Sequence, residues 1–498
     1  MASELKRSLF LLTAVVVLTA WFSNLFYFPD EHYQVLEFMS HKLGVTPASA
    51  LPWEFRAHIR PWLQPAIYFG VAAPLRAAGV TDMFIIAFIL RLLTGFFSVA
   101  ALGAFARALL PTIAGDEARR FFIRYLPLFG FLPYLFVRTS SETFSAAFFA
   151  LAIAAVLNGQ SPRRMTLAGL LCGLAFESRY QTALLGLGLF AWAVVIARAR
   201  AGALAGFIGG GLLALALGAL ADRWGYSAWV FPPFDYFNVN IVQGVAAKTF
   251  GREPVFAYLY LLPATGFFAI TLVVMAAMLA MWLRNPRHAV TWTTLPFVAL
   301  HVLVAHKEAR FLFPLAILAT SFPVLGFSPS LPRGRDFFAW VWSGRDGWAA
   351  RAITALSLIF MVYLAVYPFG VRPHMPMAQY LYRHPPGAVA SLTPVFPSYP
   401  MYKPADYRPV QLTPAQLDAA LAKGPVLLMS PTPTLPPGIH ARASLLYSEF
   451  PFADTHAQAG TDYITGYTAF ADRARFLKLL PLYWYSLYRL ERSAATRS

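Results

Sequence analysis

Residues 202–221 read GALAGFIGGGLLALALGALA, twenty consecutive positions without a charged or hydrogen-bonding side chain. The hydrocarbon core of a bilayer is about 30 Å thick, and about 20 helical residues cross it. This stretch therefore predicts a membrane-spanning helix. Its three adjacent glycines at 209–211 lack the lysine that completes a phosphate-binding loop, so they indicate a close approach between two helices.

Similar apolar runs recur along most of the chain, at 9–28, 84–106, 121–137, 143–158, 165–177, 181–197, 257–283, 291–305, 310–326 and 352–369. Hydrophobic residues make up 58% of the sequence and charged residues only 13%, about half the charged fraction of a soluble protein. We expect a mainly α-helical, polytopic membrane bundle with about eleven spans. Lys6 and Arg7 precede the first run, which lacks a small-residue cleavage site, so we expect an anchor rather than a removed signal peptide.

The placement of charge sets the expected orientation. The formal net charge is +17, but the basic residues stand between apolar runs, where they meet lipid headgroups, so we expect membrane lipids and not nucleic acid as partners. With the N-terminus in the cytoplasm, the arginine-rich loops fall inside and the acidic loops outside. This alternation requires the apolar stretch 63–80 to lie along the outer surface, within an exoplasmic loop at 29–82.

The chain changes character after residue 370. Residues 371–498 hold 17 of the 38 prolines, together with short apolar runs at 388–392 and 425–429. These runs predict strands, and Thr413 followed by Pro414 predicts a capped helix start. The sequence therefore predicts a transmembrane catalytic domain over 1–370 and a small exoplasmic α/β domain over 371–498.

Acidic and polar residues follow the first span at helical spacing. Pro29 suits a first helical turn, and carboxylates beside it are favoured by the positive end of the helix dipole. Asp30, Gln34, Glu37 and His41 recur at spacings of four, three and four, which places them on one face. A base on that face could meet a substrate presented from the membrane. The alternative is an ordinary helix end whose acids cap the helix.

A second polar cluster, residues 306–310, is wedged between two apolar runs. It contains His306, Lys307, Glu308 and Arg310. Ionisable groups at a membrane boundary are costly unless they pair or bind something charged. Because His306 and Arg310 are four residues apart, they could share a face and hold a phosphate. A loop whose charges remain in water is the alternative.

Further polar segments admit two interpretations each. Residues 229–240 mix aromatic rings with Asp235, Asn238 and Asn240. This composition suits a sugar-binding surface. An aromatic belt at the membrane interface explains it better when composition is the only guide. The polar segments at 138–143 and 177–179 are equally consistent with an ion pair at a helix end and with part of a functional site.

Several classes of protein are excluded by what the sequence lacks. Its single cysteine, Cys172, rules out an intrachain disulfide, a cysteine-built zinc site and a dithiol redox motif. No nucleotide-binding glycine pattern, nucleophile elbow or zinc-protease motif is present. The acidic residues cluster at one boundary of the membrane, whereas a proton relay would place them deep in the spans. This distribution favours chemistry at the exoplasmic face.

The order of these motifs resembles that of glycosyltransferase family 22. The motifs that carry the resemblance are Pro29-Asp30-Glu31 with Gln34 and Glu37, Trp53-Glu54-Phe55, Ile59-Arg60, Arg138-Thr139 with Glu142-Thr143, the segment 234–240 with Gly251 and Pro254, and His306-Lys307-Glu308-Ala309-Arg310-Phe311. They cover about residues 20–320. The family usually has a second acidic residue where Ala309 stands, and its histidine-rich element is missing at 393–397.

That family contains polyprenyl-phosphate-mannose-dependent mannosyltransferases of GPI-anchor and N-glycan assembly. The resemblance implies a membrane fold of the GT-C type, a polyprenyl-phosphate sugar donor and a glycolipid or lipid-linked glycan acceptor. It also implies inversion at the anomeric carbon and an acidic base in the first loop. The sequence demands no cofactor and no metal.

The required chemistry assigns roles to these residues. An acceptor hydroxyl must lose its proton as it attacks, and cations must stabilise the departing lipid phosphate. We assign Asp30 as the catalytic base, with Glu31 as the alternate. The donor phosphate is assigned to Arg60, His306, Lys307 and Arg310. The expected substrate-binding residues are Gln34, Glu37, Trp53, Glu54, Arg138, Glu142, Asp235, Asn238 and Asn240.

Other functions stay open at this point. The same fold could transfer glucose or a pentose, and a non-enzymatic transporter or flippase of a lipid-linked precursor could share the composition. The exoplasm would be the periplasm in a bacterium and the lumen of the endoplasmic reticulum in a eukaryote. The sequence has no asparagine-x-serine/threonine glycosylation site, which favours a bacterial inner membrane.

Overall fold

The computed structural model describes residues 1–24, 26–265, 268–328, 338, 347–366, 375–392, 399–403, 407–430, 441–449 and 485–492. The chain divides into two units. The first comprises Met1–Asn24, Pro29–Thr81 and Ile85–Tyr367, and the second comprises Leu25–Phe28, Asp82–Phe84 and Pro368–Ser498. The domain boundary expected at residue 370 stays a prediction.

Helices account for almost all regular structure before residue 367. The α-helices are α1 (Ala2–Phe22), α2 (Glu37–Lys42), α3 (Trp53–Arg56), α4 (Leu63–Ala77), α5 (Met83–Leu109), α6 (Asp116–Tyr125), α7 (Leu132–Phe136), α8 (Ser141–Leu157), α9 (Pro162–Ser178), α10 (Ala183–Val195), α11 (Ala201–Tyr226), α12 (Pro232–Phe237), α13 (Val245–Phe250), α14 (Tyr258–Thr265), α15 (Phe268–Arg284), α16 (Ala289–Leu303), α17 (Ala316–Ala319), α18 (Phe322–Phe327) and α19 (Trp348–Val366). Glu31–Leu36 and Asn238–Val242 form π-helical turns, and Ala309–Leu315 is a 3₁₀ helix.

The apolar runs correspond to helices, which supports an integral, multi-pass membrane protein. Among the described residues, Ala2–Phe22, Met83–Thr112 and Ala201–Tyr226 are long and apolar enough to cross a bilayer, and several shorter apolar helices accompany them. The expected number of about eleven spans therefore stays a prediction. The stretch 63–80 contains α4, and its position along the outer surface is likewise still a prediction.

Where the structure describes every residue of a predicted span, the runs 121–137 and 310–326 are not continuous helices. The run 121–137 divides into α6, a 3₁₀ turn at Leu126–Leu128 and α7, and the run 310–326 divides into a 3₁₀ helix, α17 and α18. Proline has no backbone N–H and clashes with the preceding turn. Pro127 stands in the 3₁₀ turn that separates α6 from α7, and Pro323 stands at the start of α18, after the break that follows α17. Apolar composition predicted their burial but not these breaks.

The glycine-rich run packs as the sequence predicts. A Cβ added at Gly210 of α11 would lie 2.0 Å from the backbone oxygen of Thr166 in α9. On the facing side, a Cβ at Gly169 would lie 1.9 Å from the backbone oxygen of Phe207. The two helices therefore approach each other backbone to backbone, as small residues allow in membranes.

The second unit contains a five-stranded mixed sheet. Its strands are β1 (Ala388–Ser391), β2 (Arg408–Gln411), β3 (Val426–Ser430), β4 (Ala441–Ser448) and β5 (Ser486–Arg492), in the order β2-β1-β3-β5-β4. β1 is parallel to β2 and β3, and β5 is antiparallel to β3 and β4. Helices α20 (Met375–Arg383) and α21 (Pro414–Leu421) accompany it.

Both expected strands and the expected helix start of this unit are present. Thr413 caps α21 in a capping box with Gln416, in which the two residues satisfy each other's backbone donors. Residues 393–397, where the family's histidine-rich element is missing, lie outside the described residues.

Candidate active site

One guanidinium gathers three carboxylates from distant parts of the chain. Arg310 Nη1 lies 2.6 Å from Asp30 Oδ2 and 3.4 Å from Glu142 Oε1. Its Nε donates to Glu308 Oε2. Arg310 is 7% exposed and Glu142 is 3% exposed. We call Asp30, Glu142, Glu308 and Arg310 the carboxylate cluster.

Local helix geometry explains why the carboxylates meet here. Asp30 immediately precedes the π-helical turn Glu31–Leu36, and Glu308 immediately precedes the 3₁₀ helix Ala309–Leu315. Glu142 lies in the first turn of α8, which Ser140 caps through its side chain. All three acids thus lie at helix starts, where the backbone dipole favours negative charge.

The arginines keep two acids of the cluster, Asp30 and Glu308, ionised. Burial alone would raise the pKa of Asp30, but Arg310 and Arg60 together lower it from 3.8 to about 2. Burial also opposes ionisation of Glu308, yet the charge and hydrogen bond of Arg310 and the hydrogen bond of His306 hold its pKa below the ordinary value. Asp30 is therefore a carboxylate throughout the physiological pH range, and 27% of its side chain is exposed.

Arg60 connects the carboxylate cluster to a small cavity. Its Nη2 lies 3.9 Å from Asp30 Oδ2 and 3.6 Å from Glu54 Oε1, which also accepts a 3.0 Å hydrogen bond from Gln34. The cavity has a volume of about 30 Å³, and its lining includes Gln34, Arg60, Arg179, Gln181 and Tyr236. This is room for about two water molecules and not for a sugar.

A rigid network fixes the backbone that carries Arg60. The Tyr226 hydroxyl donates to the Arg60 carbonyl oxygen at 2.8 Å, and the Trp62 backbone N–H donates to Asp222 Oδ1 at 2.8 Å. Trp62 is fully buried, and a Cβ at Gly225 would lie 2.0 Å from its indole Cδ2. The end of α11 therefore determines where Arg60 is presented.

Arg179 is the main site residue that sequence reasoning did not assign. It follows α9 and is 6% exposed. Its Nη1 lies 2.8 Å from Glu142 Oε1 and 3.1 Å from Ser141 Oγ. The Nε atoms of Arg179 and Arg60 are buried and have no hydrogen-bond partner among the described residues. The polar triplet Glu177-Ser178-Arg179, flanked by apolar runs, was the only sequence signal for it.

Several residues expected in the site bind the protein's own backbone instead. Glu31, the alternate base, is 4% exposed and accepts hydrogen bonds from the Thr139 amide (2.7 Å) and hydroxyl (3.1 Å). Arg138 donates to the Ser23 carbonyl oxygen at 2.6 Å. These two residues connect the segments on either side of the site, and their assignments as alternate base and substrate-binding residue stay predictions.

The 306–310 segment also divides between two tasks. Lys307 is 3% exposed and donates to the carbonyl oxygen of Glu253 at 3.0 Å. His306 Nδ1 lies 3.1 Å from the Gly251 carbonyl oxygen, and its Nε2 lies 2.9 Å from Glu308. His306 and Arg310 both contact Glu308. His306 lies outside the 3₁₀ helix that contains Arg310, so the four-residue spacing does not place the two on one helix face. Lys307 holds a loop.

Asp30, Gln34, Glu37 and His41 do not share one set of partners, as the expected common face would require. Asp30 and Gln34 are joined through Arg60 and Glu54. Glu37 binds His32 at 2.7 Å and accepts from the Thr46 hydroxyl, and His41 Nδ1 lies 3.0 Å from the Thr46 carbonyl oxygen. The π-helical turn at Glu31–Leu36 explains the difference from the expected face. Its i→i+5 hydrogen bonds give a wider turn, so the angle between successive side chains differs from that of an α-helix.

The remaining residues that we expect to bind substrate are outside the carboxylate cluster. Trp53 is 45% exposed on α3. Asp235 and Asn238 are half-buried in and just after α12, and Asn240 donates to the Tyr236 carbonyl oxygen at 3.2 Å. In this segment, Tyr236 is the residue that lines the cavity, and the Arg60 guanidinium lies 5.8 Å from its ring centre. Within the described part of the chain, no group of three histidine, cysteine, aspartate or glutamate side chains could hold a metal ion.

The fold and this site define a helical membrane protein with an arginine-bridged acidic cluster at the ends of its helices. A profile of the Alg9-like mannosyltransferase family matches residues 8–382. The chain belongs to that family, which confirms the resemblance seen in the sequence.

Individual relatives are distant. The chain is 25% identical over 313 residues to GPI mannosyltransferase 3 of Yarrowia lipolytica, covering 62% of this chain and 59% of that protein. It is 24% identical to GPI mannosyltransferase 3 of Gibberella zeae, covering 63% and 58%. The chain thus spans about three-fifths of the length of these relatives. Both organisms are fungi, so these relatives lend no support to the expected bacterial location.

Solved structures show weak likeness. A crystal structure of ArnT from Cupriavidus metallidurans bound to undecaprenyl phosphate superposes with a TM-score of 0.49 at 15% identity, covering 84% of this chain and 92% of that chain. The arabinofuranosyltransferase AftD from Mycobacteria gives a TM-score of 0.45 at 16% identity, covering 85% and 35%.

Proposed function

We propose that this protein is an inverting mannosyltransferase that moves mannose from a polyprenyl-phosphate donor to a glycolipid or lipid-linked glycan at the exoplasmic membrane face. Membership of a mannosyltransferase family supports the choice of sugar. The observation that carries the proposal is a partly exposed, ionised Asp30 held between Arg310 and Arg60. The Asp30 carboxylate can accept a proton, and the two adjacent guanidinium groups can neutralise a phosphate.

The proposed reaction uses these groups as follows. An acceptor hydroxyl attacks the anomeric carbon of the donor while Asp30 takes the hydroxyl proton. The bond between that carbon and the phosphate oxygen breaks on the opposite side, which inverts the configuration. Arg60, Arg179 and Arg310 stabilise the negative charge that remains on the lipid phosphate. Arg179 joins the assignment because it lines the cavity beside Arg60.

The structure supports a closed resting state. Asp30 and residues 306–310 are not among the described residues that line the cavity, which holds about 30 Å³, and Asp30 is paired with the cation that the phosphate needs. A donor phosphate would compete with Asp30 for Arg310. Binding of the donor would then release the carboxylate, and its pKa would rise from about 2 toward its ordinary value, which makes it a better base.

The decisive experiment replaces the proposed base. Purified protein is given polyprenyl-phosphate mannose labelled in the sugar, together with a membrane lipid extract as acceptor. We expect Asp30→Asn to lower transfer by about 10² to 10⁴-fold, the usual contribution of a general base. The thermal unfolding midpoint should fall by only a few degrees, because the ion pair with Arg310 is lost. Mass spectrometry of the lipid products would identify the acceptor that gains one hexose.

A matched control separates the reaction from general charge effects. Asp116→Asn removes an acid that is 71% exposed and paired with Arg119 on α6, and it should leave transfer unchanged. Equal transfer by Asp30→Asn and the unaltered protein would refute the proposed base. Movement of a lipid-linked sugar across vesicles by Asp30→Asn, with no transfer by either protein, would establish a flippase instead.

A further inference from the structure

Four buried polar atoms beside the small cavity have no hydrogen-bond partner within the described part of the chain. They belong to residues that line the cavity, and they are Gln64 Oε1, the Tyr180 hydroxyl, Arg60 Nε and Arg179 Nε. Gln64 is 2% exposed and Tyr180 is 8% exposed. Because an unpaired polar atom away from water costs free energy, these four atoms indicate that the cavity accepts a ligand with hydrogen-bonding groups.

The neighbours of Gln64 determine which way its amide group faces. Its Nε2 donates to the Thr139 carbonyl oxygen at 3.0 Å and to the Tyr68 hydroxyl oxygen at 3.0 Å. A backbone carbonyl oxygen can only accept a hydrogen bond, so the nitrogen of the amide must face Thr139. The Tyr68 hydroxyl is fixed in turn, 2.6 Å from Thr94 Oγ1. Gln64 Oε1 is therefore an acceptor in a fixed position, and it requires a donor.

The Tyr180 hydroxyl is held in place by the packing of its ring. The centre of that ring lies 5.2 Å from the ring centre of Phe176 and 5.5 Å from that of Tyr236. Tyr236 is itself fixed, because its hydroxyl accepts a hydrogen bond from Gln181 Nε2. A tyrosine hydroxyl can donate a hydrogen bond as well as accept one. The wall of the cavity therefore presents a second fixed polar group beside Gln64.

This combination of one acceptor and several donors selects the chemistry of the ligand. A phosphate that is esterified on both sides carries no proton, so it cannot donate to Gln64 Oε1. Two guanidinium groups in the lining disfavour a cation. A hydroxyl group can donate to Gln64 Oε1 and can also accept from a tyrosine or a guanidinium. The cavity volume of about 30 Å³ admits about two groups of the size of water, which is room for two hydroxyl groups.

We infer that the small cavity binds two hydroxyl groups of the donor hexose that do not react. One of them donates to Gln64 Oε1, and the other accepts from the Tyr180 hydroxyl. The donor is the source because Arg60 and Arg179, which we assign to the donor phosphate, line the same cavity. Asp30 is not among the described residues of the lining, so neither hydroxyl is the one that attacks. This inference rests on the proposed function and identifies the residues that recognise the transferred sugar.

The test removes single hydroxyl groups from the donor and from the protein. Purified protein is given a lipid extract as acceptor and polyprenyl-phosphate mannose, or analogues that lack the sugar hydroxyl at carbon 2, 3, 4 or 6. With the unaltered protein, kcat/KM should fall by about tenfold or more for two of the analogues, because a buried polar group of the protein is then left unpaired. The ratio of analogue to parent donor is compared between proteins, which cancels differences in intrinsic reactivity.

Two variants should each abolish one of these effects. Tyr180→Phe should lower kcat/KM for the parent donor by about tenfold and remove the loss for one analogue. Its thermal unfolding midpoint should not change, because the hydroxyl has no partner among the described residues. Gln64→Met should remove the loss for the other analogue. It also deprives the Thr139 carbonyl oxygen of a donor, so its unfolding midpoint should fall while the ratio still reports the sugar contact.

The matched control is Tyr407→Phe, which removes another buried hydroxyl without a partner in the described ranges, from a residue that is not in the cavity lining. This control should leave every ratio unchanged, and an equal effect of Tyr407→Phe would overturn the inference. Normal transfer of mannose with an unchanged ratio in Tyr180→Phe or Gln64→Met would overturn it and leave the proposed function standing. So would an effect that depends on hydroxyl groups of the acceptor instead. Absence of transfer by the unaltered protein would refute the proposed function, and this inference with it.

Discussion

Replacing Arg310 by lysine tests whether the geometry of one guanidinium, and not only its charge, is essential. The guanidinium donates to Asp30 and Glu308 through different nitrogens, with Glu142 at 3.4 Å. A lysine ammonium is a single point of charge on a flexible stem and lacks the fixed fork. Arg310→Lys should therefore lose at least one charge-assisted hydrogen bond, worth about 1.5 to 3 kcal/mol.

The loss should affect the rate more than the stability. Each 1.4 kcal/mol of transition-state stabilisation is about tenfold in rate, so we expect transfer to fall about 10 to 100-fold. The positive charge remains, so the buried acids are not left uncompensated, and the unfolding midpoint should fall by only a few degrees. Initial rates of polyprenyl phosphate release and thermal unfolding of the same sample measure the two effects.

The control for this experiment is Arg120→Lys, an exposed arginine paired with Glu117, which should change neither quantity. A rate unchanged by Arg310→Lys would remove Arg310 from the site. A fall in rate matched by gross unfolding would show that the residue acts through the fold alone, which contradicts the reasoning above.

Three further results are expected. The pKa of Asp30 is lowered from 3.8 to about 2, so its ionisation contributes stability that is complete above about pH 4 and is lost as pH falls toward 2. Arg310→Gln should move the acid limb of kcat/KM to higher pH, because burial raises the pKa of Asp30 and the arginine no longer lowers it. An unmoved limb would contradict this. Gly225→Ala should destabilise the protein by about 1 to 3 kcal/mol, because the new Cβ would overlap the buried indole of Trp62. Gly202→Ala in the same helix meets nothing within 4 Å and should be neutral. Equal unfolding midpoints of the two variants would refute the packing argument. A cysteine at Pro400 should react with an impermeant reagent added from the exoplasmic side, and protection there would reverse the expected orientation of the second unit.

The membrane class and the helices were predictable because apolar composition determines them over long stretches. The run at 202–221 folds into α11 as expected, and Gly210 packs against α9 as its neighbours indicate. The breaks at Pro127 and before Pro323 follow from the backbone chemistry of proline, but apolar composition does not predict them because every piece is apolar.

The sequence shows which charged residues stand at the ends of the apolar runs, but not which of them contact each other. Asp30 and Arg310 were both singled out, but their direct contact joins residues 280 positions apart, and no local spacing encodes such a pair. Arg179 was passed over for the same reason, since only the fold brings it to Glu142. Glu31 and Lys307 were assigned to chemistry because sequence shows a charge but not the backbone groups that it binds.

The ion pair between Asp30 and Arg310 has a consequence for the loss of donor to hydrolysis. Water competes with any acceptor for an activated sugar, so a base that is free before the donor binds would favour hydrolysis. If the donor's own phosphate is what separates Asp30 from Arg310, the base becomes available only when the sugar is already in place. The ion pair between Asp30 and Arg310 in the donor-free protein would then limit hydrolysis of the donor.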